Sequence, residues 1–346
     1  MSSTRRLGIL ALFTLGAAVS SCGSDDAAAP AETPPPADGA PAPGDGEAPP
    51  PAADGGAPDA DGAAPPAPAT PSCQGKEKLT GDLDWTIAQR TVHVHVPASY
   101  DPSKGTAIVL DFHGYTSNGD QQATYAGMNT KSDTAGFVAV HPEGTGFAQS
   151  WNGGVCCGTA SSTGVDDVAF VSAILDELAT KLCVDPKRVF ATGLSNGGFL
   201  SHRLACELSG RVAAIAPVAG VIGVSTCAPA RPVPVMQFHG TSDTLVPYNG
   251  NPLSGYPSVP STIAKWAERN GCTGAATESF KSGDVQCMTH AQCAAGAEVT
   301  LCTVTGGGHT WPGSSTSLPI PGLGKTTQAI NATDAMWAFF QKHPLP

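Results

Sequence analysis

Hydrophobic positions between residues 90 and 144 follow the patterns of β-strands. The run RTVHVHVP at 90–97 alternates polar and apolar residues, which predicts a strand with one exposed face. The runs AIVLDFHG at 107–114 and FVAVHPEG at 137–144 are compactly apolar and end in glycine, which is typical of strands buried on both faces. This part of the chain is therefore predicted to supply three strands of a sheet.

The pattern changes to a helical period at residues 165–182. Apolar residues recur there on one face, at positions 168, 171, 174, 175, 178 and 182. Either Asp166 or Asp167 can cap the start of this helix, because a side-chain carboxylate accepts hydrogen bonds from the unpaired N–H groups of the first turn.

Strands and helices continue to alternate towards the C-terminus. The run RVFATG predicts a buried strand followed by a helix to about residue 208, and VAAIAPVAG and VPVMQFHG predict two more buried strands. A helix near 261–270, a hairpin formed by DVQCMTH and AEVTLCTV, and a final helix near 330–342 follow. Such alternation predicts an α/β fold with a mostly parallel sheet, in which functional loops gather at the carboxyl ends of the strands.

The first 22 residues have the features of an export signal. Arg5 and Arg6 precede an apolar segment at 7–19, which is shorter than the roughly 20 residues that a membrane-spanning helix needs. The segment ends in VSSC, which resembles the lipobox of bacterial lipoproteins. We expect residues 1–22 to be a signal peptide with lipidation at Cys22; ordinary signal cleavage after the small residues is the alternative.

Residues 23–72 are rich in Ala, Pro, Gly and Asp and contain no aromatic residue, Lys or Arg. Such a segment buries too little apolar surface to offset its ordering entropy, so we expect a disordered linker. It holds nine acidic residues, which account for most of the net charge of −11. The remaining chain, 73–346, has 16 basic and 20 acidic residues and is long enough for one α/β domain. This charge balance gives no indication of nucleic-acid binding.

Ten cysteines follow Cys22, and an even number favours disulfides in an exported protein. The sequence contains no C-x-x-C pair and no H-E-x-x-H motif, so we expect no metal site. Cys287 and Cys302 are nearly equidistant from the turn of the predicted hairpin, and cross-strand geometry favours their pairing and leaves Cys293 for Cys272. A disulfide between Cys287 and Cys293 is the alternative.

The segment GLSNGG at 193–198 lies between a predicted strand and a predicted helix. G-x-S-x-G in this context is typical of a nucleophile elbow, a turn so tight that glycines are needed two residues before and after the serine. Ser195 would take a strained backbone conformation that exposes its Oγ, and the helix N-terminus behind it would favour developing negative charge. The alternative is a glycine-rich turn without chemistry.

A serine nucleophile needs a base that is oriented by an acid, and in this fold class the order is serine, acid, histidine. His309 lies in TGGGHTWPG, a glycine-rich loop after a predicted strand, and is the candidate base. Asp243 follows the strand VPVMQF by a few residues and is the candidate acid, with turn capping as the alternative. Asp284 and Asp334 fit the topology less well.

An oxyanion hole needs N–H donors, one of which is the backbone of the residue after the nucleophile, here Asn196. The loop DFHGYTSN at 111–118 supplies the second, which we assign to the backbone of Tyr115 in preference to Thr116. We expect His113 to shape this loop and not to exchange protons.

Six segments resemble, in order along residues 107–313, one family of secreted esterases: FHG, SWNGGVCCG, VDDVAFV, VFATGLSNGG, HGTSDTLVPY and GGGHTWPG. The chain is similar to the family that groups polyhydroxybutyrate depolymerases with feruloyl and acetylxylan esterases. The resemblance implies a secreted α/β-hydrolase with Ser195, Asp243 and His309 as a catalytic triad and with no metal or cofactor. Extracellular polymer depolymerases of this family commonly carry a polymer-binding domain, for which this sequence offers no candidate segment.

Two features of the sequence concern the substrate. About a dozen residues separate VAAIAPVAG from VPVMQFHG, too few for a cap domain, so we expect an open cleft that suits an ester on a polymer or glycan. Trp151 lies near a cysteine pair in SWNGGVCCG, on a loop between a predicted strand and helix, and Trp311 follows His309 by two residues. Both are candidate substrate-binding residues, as walls for an aromatic acyl group or a sugar, with packing as the alternative.

Together these observations predict an extracellular or cell-envelope serine carboxylester hydrolase, monomeric, acting on a polyester or a plant-polysaccharide ester. Contact with a membrane is expected only through the N-terminal lipid anchor. An acyltransferase on the same scaffold and a non-catalytic surface adhesin are the alternatives.

Overall fold

The computed structural model describes residues 70–316 and 322–346. The predicted signal peptide at 1–22, the lipidation site Cys22 and nearly all of the predicted linker at 23–72 lie outside the described residues. In the part of the chain that is described, no helix combines the length and the apolar character needed to cross a bilayer.

One sheet of ten strands runs through the described residues. The strands are, in chain order, β1 (Gly81–Ile87), β2 (Arg90–Val96), β3 (Thr106–Phe112), β4 (Val138–Pro142), β5 (Val184–Leu194), β6 (Ala214–Val218), β7 (Val235–Gly240), β8 (Thr277–Ser282), β9 (Val285–His290) and β10 (Val299–Val304). Their order across the sheet is β1-β2-β4-β3-β5-β6-β7-β10-β9-β8. The strands from β4 to β10 in that order are parallel, and antiparallel pairs extend the sheet at both edges.

Helices flank the sheet on both faces. They are α1 (Gly119–Ala126), α2 (Met128–Ala135), α3 (Gly158–Ser162), α4 (Asp167–Lys181), α5 (Asn196–Glu207), α6 (Val259–Arg269) and α7 (Ala332–Phe340). Asp166 caps α4 by accepting the Ala169 N–H at 2.9 Å. Asp167, the other candidate cap, is instead buried and binds Arg90 at 2.6 Å.

The hydrophobic core has two large parts, one on each face of the sheet, and a third, small cluster that includes Cys156, Phe199 and Val246. Successive residues of a strand point to opposite faces, so Leu110 of β3 belongs to one part and Val109 to the other. The first part includes Ile174 of α4, Leu204 of α5 and Trp266 of α6. The second part is completed by residues of α2 and α7. Each fully buried Leu, Ile or Val contributes about 1.5–3 kcal/mol relative to exposure, so this three-layer arrangement holds the strand ends in place.

Most of the predicted elements are confirmed. The six apolar runs became β2 to β7, the hairpin became β9 and β10, and the helices predicted at 165–182, after RVFATG, near 261–270 and near 330–342 are α4 to α7. The strands β1 and β8 and the helices α1, α2 and α3 were not predicted. All six residues of β8 are exposed, and α1 and α2 carry few apolar residues, so neither region shows the periodicity that marks a buried face.

Five disulfides link the ten described cysteines: Cys73–Cys183, Cys156–Cys157, Cys206–Cys227, Cys272–Cys293 and Cys287–Cys302. The pairing predicted for the hairpin is confirmed, because Cys287 and Cys302 stand directly opposite each other in the register of β9 and β10. The alternative pairing of Cys287 with Cys293 is wrong.

Candidate active site

Ser195 lies alone in the turn between β5 and α5. Strand β5 ends at Leu194 and α5 begins at Asn196. The Ser195 backbone has φ 55° and ψ −118°, a conformation that non-glycine residues rarely adopt. Its N–H donates to the Val218 carbonyl at 2.9 Å, and its carbonyl accepts the Phe199 N–H at 3.0 Å. The turn is therefore held from both sides in the strained form that the motif predicted.

Two glycines allow this turn to lie against β3. A Cβ built on Gly193 or on Gly197 would overlap the carbonyl oxygen of Phe112. The Cβ on Gly193 would also lie 2.8 Å from the carbonyl carbon of Gly197, which is closer than real Cβ atoms approach. Any side chain at either position would push the turn away from β3, and the loop after β3 carries the candidate oxyanion donor.

His309 and Asp243 meet because they follow neighbouring strands. Strands β7 and β10 are parallel and adjacent, so the loops after them lie side by side. His309 Nδ1 is 2.8 Å from Asp243 Oδ2, and both side chains are buried. The other carboxylate oxygen, Oδ1, accepts the N–H groups of Leu245 at 2.9 Å and Val246 at 2.8 Å. The carboxylate thus has a fixed orientation towards the histidine.

The surroundings of Asp243 favour its ionised form. Burial alone raises the pKa of this carboxyl, but hydrogen bonds with His239 and His309 outweigh burial and hold the pKa well below its usual range. A charged Asp243 keeps a proton on Nδ1 of neutral His309. The Nε2 atom of His309 is then unprotonated and can accept a proton.

Ser195 and His309 line one cleft, whose volume is about 500 Å³. The rest of its lining is mostly apolar or aromatic and includes Tyr115, Tyr125, Cys156, Cys157, Leu194, Leu245, Val246, Tyr256 and Leu323. Within the described residues, the His309 ring bonds to Asp243 and makes no direct hydrogen bond to Ser195 Oγ. Such a contact commonly tightens only when a substrate is bound. Among the residues that the structure describes, no group of three or more His, Cys, Asp or Glu side chains could hold a metal ion.

Two backbone N–H groups are available near Ser195. Asn196 is the first residue of α5, where a helix leaves its N–H without an acceptor in the helix. In the loop after β3, the Thr116 N–H is engaged by the Gln149 carbonyl at 3.0 Å. This bond favours Tyr115, which also borders the cleft, over Thr116 as the second donor.

His113 shapes this loop, as expected. Its Nδ1 donates to the Gly114 carbonyl at 2.8 Å and its Nε2 accepts the Gly144 N–H at 3.0 Å. Burial lowers the pKa of His113, so the neutral ring persists with both nitrogen atoms engaged in holding the backbone.

Trp151 and Trp311 are core residues, and the expectation that they form walls of the cleft is wrong. Trp151 is 0% exposed, packs edge-on against Phe112 and donates its Nε1–H to the His113 carbonyl at 3.0 Å. Trp311 is 1% exposed and donates its Nε1–H to Thr333 Oγ1 at 3.0 Å. Each indole N–H donates to a buried acceptor, so both rings lie in the core.

The role of the Asn196 side chain and several lining residues were not predicted. This buried side chain accepts the Trp151 N–H at 2.7 Å and donates to the Trp151 carbonyl at 2.9 Å. This clamp holds the segment that leads to Cys156 and Cys157, which are bonded to each other and line the cleft. Besides Tyr115, two tyrosines line the cleft, Tyr125 of α1 and Tyr256 before α6, and no motif marks either of them.

Comparisons with known proteins place the chain among esterases. Residues 97–295, more than half of the chain, match the family described as Esterase PHB depolymerase. Feruloyl esterase B of Piromyces equi is 32% identical over 234 residues, which cover 64% of this chain and 42% of that protein. The chain thus spans less than half the length of this relative. The putative esterase NocK of Nocardia uniformis subsp. tsuyamanensis is 29% identical over 313 residues, 78% of this chain and 88% of that protein.

A solved structure shares the fold. The acetyl xylan esterase from Aspergillus awamori aligns with a TM-score of 0.54 at 17% identity, covering 75% of this chain and 99% of that chain. This likeness shows the α/β-hydrolase fold that the sequence predicted. From the extent of the family match, the chain belongs to the Esterase PHB depolymerase family.

Proposed function

We propose that the protein is a serine carboxylester hydrolase with Ser195 as nucleophile, His309 as base and Asp243 as the residue that orients His309. One observation supports this above the others. A serine in a strained elbow shares a cleft with a histidine whose Nδ1 lies 2.8 Å from a buried carboxylate. A serine nucleophile is activated by a neighbouring base, and a third group orients that base.

The proposed reaction has two halves. Ser195 Oγ attacks the ester carbonyl carbon while His309 Nε2 takes the hydroxyl proton, and the N–H groups of Asn196 and Tyr115 bind the oxyanion. Asp243 stabilises the resulting imidazolium. His309 then gives the proton to the leaving alcohol as the C–O bond breaks, which leaves an acyl-enzyme. In the second half His309 deprotonates a water molecule, which attacks the acyl carbon. The bond from that carbon to Ser195 Oγ then breaks, His309 returns the proton to Oγ, and the carboxylic acid is released.

The proposed substrate is an ester on a polymer, either a polyhydroxybutyrate-type polyester or a feruloyl or acetyl ester of a plant polysaccharide. The names of the family and of the relatives support this class. The cleft supports the same substrate class, because its lining is largely apolar and open to solvent. Two of the lining residues, Tyr115 and Leu245, are 44% and 53% exposed. An acyl group can therefore enter without displacing a covering element.

We place the protein outside the cytoplasm. The five disulfides of the described residues indicate an oxidising compartment. In this proposal residues 1–22 direct export, a lipid on Cys22 anchors the chain, and residues 23–72 separate the catalytic domain at 73–346 from the membrane. The mass of the mature N-terminus distinguishes a lipidated Cys22 from simple cleavage.

Substitution of Ser195 tests the proposal. We expect Ser195→Ala to lower kcat on p-nitrophenyl acetate by at least about a thousandfold, because the variant lacks the hydroxyl that forms the acyl-enzyme. Ser172→Ala on α4, outside the cleft, is the matched control and should retain the activity of the unmodified protein. If folded, oxidised Ser195→Ala retains full turnover, the assignment of the nucleophile is wrong.

A substrate panel then identifies the ester. Methyl ferulate, acetylated xylan and a short 3-hydroxybutyrate oligomer should give a Ser195-dependent preference for one of the three. Transfer of the acyl group to an added alcohol in preference to water would instead identify an acyltransferase. Binding to these polymers without any turnover would identify an adhesin.

A further inference from the structure

A group of buried polar side chains includes a second histidine that contacts Asp243. The group consists of Trp266 of α6, His202 of α5, and Gln237 and His239 of β7, none of which is more than 2% exposed. None of them lines the cleft. A buried polar group without a hydrogen-bond partner costs free energy of folding. The hydrogen bonds of these four side chains therefore indicate the role of each.

The first link of this group fixes the proton of His202. The Trp266 Nε1–H donates to His202 Nδ1 at 3.0 Å, so Nδ1 is an acceptor and the ring proton is on Nε2. Complete burial lowers the pKa of His202 to about 3, which keeps the ring neutral. His202 Nε2–H is consequently a donor that must find its partner inside the protein.

The second link is Gln237. Its Nε2 donates to the Gly220 carbonyl at 2.9 Å, which orients the amide, because a carbonyl can only accept. The Gln237 amide oxygen is then an acceptor that faces away from the Gly220 carbonyl. Within the described residues His202 Nε2 and Gln237 Oε1 are buried and have no hydrogen-bond partner.

The third link fixes the proton of His239. Gln237 Nε2 also lies 3.4 Å from His239 Nδ1, and an amide nitrogen can only donate, so Nδ1 is the acceptor. The ring proton of His239 is therefore on Nε2. This atom donates to the Val246 carbonyl at 2.8 Å and lies 3.4 Å from Asp243 Oδ2.

His239 is the member of the group that reaches Asp243, with Nε2 3.4 Å from Asp243 Oδ2. This oxygen also receives His309 Nδ1–H at 2.8 Å. The bond from His239 to Val246 also holds the loop that follows β7, and Val246 N–H in turn donates to Asp243 Oδ1. His239 thus contacts Asp243 directly and supports the loop that binds its other oxygen.

We propose that His239 is a positioning residue for Asp243, and that Gln237 makes it so by holding the His239 proton on Nε2. The inference rests on the proposed function, because it assigns a role within that triad. If the proton moved to Nδ1, the Nε2 lone pair of His239 would face both the Asp243 carboxylate and the Val246 carbonyl. Three acceptors would then meet without a proton between them, and the carboxylate would turn away from His309.

Two substitutions at His239 test the proposal in the full chain. Leucine removes both ring nitrogens, whereas glutamine retains an N–H donor at about the distance of Nε2. We expect His239→Leu to lower kcat on p-nitrophenyl acetate about ten- to a hundredfold with little change in KM, because a small misplacement of the orienting group has effects of this size. His239→Gln should recover most of that loss.

The pH profile separates positioning from general destabilisation. A misplaced Asp243 carboxylate stabilises the His309 imidazolium less, so the acidic limb of kcat/KM should move to lower pH in His239→Leu. A purely structural role would lower the thermal midpoint and leave this limb in place. Gln237→Leu, which retains His239, should move kcat and the limb in the same direction by a smaller amount.

The outcomes distinguish this inference from the proposed function. If Ser195→Ala is inactive while His239→Leu and Gln237→Leu keep the unmodified kcat and pH profile, the positioning role is wrong and the triad stands. Equal losses in His239→Leu and His239→Gln would also overturn it, because the donor would then be irrelevant. If His239→Leu does not fold, Gln237→Leu decides by the same two measurements.

Discussion

The histidines of β2 and those behind the cleft have opposite environments. His93 is placed between Asp84 at 2.7 Å and Glu143 at 2.9 Å, so that each ring nitrogen faces a carboxylate. Partial burial lowers the pKa of His93, but these hydrogen bonds outweigh it and raise the pKa. His95, on the same strand, likewise faces a carboxylate at each ring nitrogen, and its pKa is raised for the same reasons.

Behind the cleft the balance is reversed. His202 is fully buried, its partners are neutral, and its pKa falls to about 3. The difference between the regions is the number of carboxylates within reach of the ring. A charged histidine near the surface joins neighbouring elements of the sheet edge by ion pairs, whereas a neutral histidine in the core has one donor and one acceptor in fixed positions. Only the neutral histidine, with its donor in a fixed position, suits the task of holding a catalytic carboxylate in place.

Removal of the Asp243 carboxylate, behind the cleft, should have the largest effect on activity. In Asp243→Asn the side-chain amide can donate to His309 Nδ1, which moves the ring proton to Nε2 and removes the base. We expect kcat on p-nitrophenyl acetate to fall about 10⁴-fold with the fold retained. Asp84→Asn, which removes a carboxylate from the region around β2, is the matched control and should keep nearly full activity. Comparable losses in the two variants would contradict the assignment of Asp243.

Acidification should weaken the buried region through His202. The folded-state pKa is below the unfolded value of about 6.5, so the unfolded chain binds more protons and stability is lost as the pH falls from about 6.5 towards about 3. The loss is about 1.4 kcal/mol per pH unit, or roughly 3 kcal/mol between pH 6.5 and 4.5. Urea unfolding at both pH values should show that His202→Gln lacks this part of the pH dependence. An unchanged slope in the variant would show that His202 is not the titrating group.

The stability contributed by the histidines of β2 should depend on pH in the opposite sense, and more weakly. The raised pKa values of His93 and His95 contribute stability that is complete below about pH 6.5 and is lost as the pH rises through the folded-state values. Because the partners are largely exposed, we expect about 0.5–1 kcal/mol for each histidine. The double variant His93→Gln/His95→Gln should therefore be more destabilised at pH 5.5 than at pH 9 in urea unfolding. Equal destabilisation at both pH values would exclude a charged state of these rings.

The sequence predicted the elbow well because its constraint is local. The glycines at 193 and 197 are required by the backbone within a few residues of Ser195, and the apolar run of β5 identifies the strand before them. The predicted partners His309 and Asp243 were found from their order and from the strands that precede them. Parallel neighbouring strands bring such loops together whatever the intervening sequence.

Where the prediction was wrong or silent, the deciding contact was distant along the chain. The Trp151 ring is buried because the His113 carbonyl accepts its N–H, and nothing near Trp151 in the sequence indicates that contact. Likewise, the ring proton of His202 is placed by the Trp266 Nε1–H, which comes from a residue 64 positions away along the chain.

The sequence by itself determined the fold class, the strained serine turn and the identity of the candidate nucleophile, base and acid. These follow from hydrophobic periodicity and from backbone sterics, which act over a few residues. The tertiary structure alone decided which aromatic residues line the cleft, which histidines carry charge and on which nitrogen each neutral ring holds its proton. Those properties depend on burial and on hydrogen-bond partners from other elements, and such partners meet only once the chain is folded.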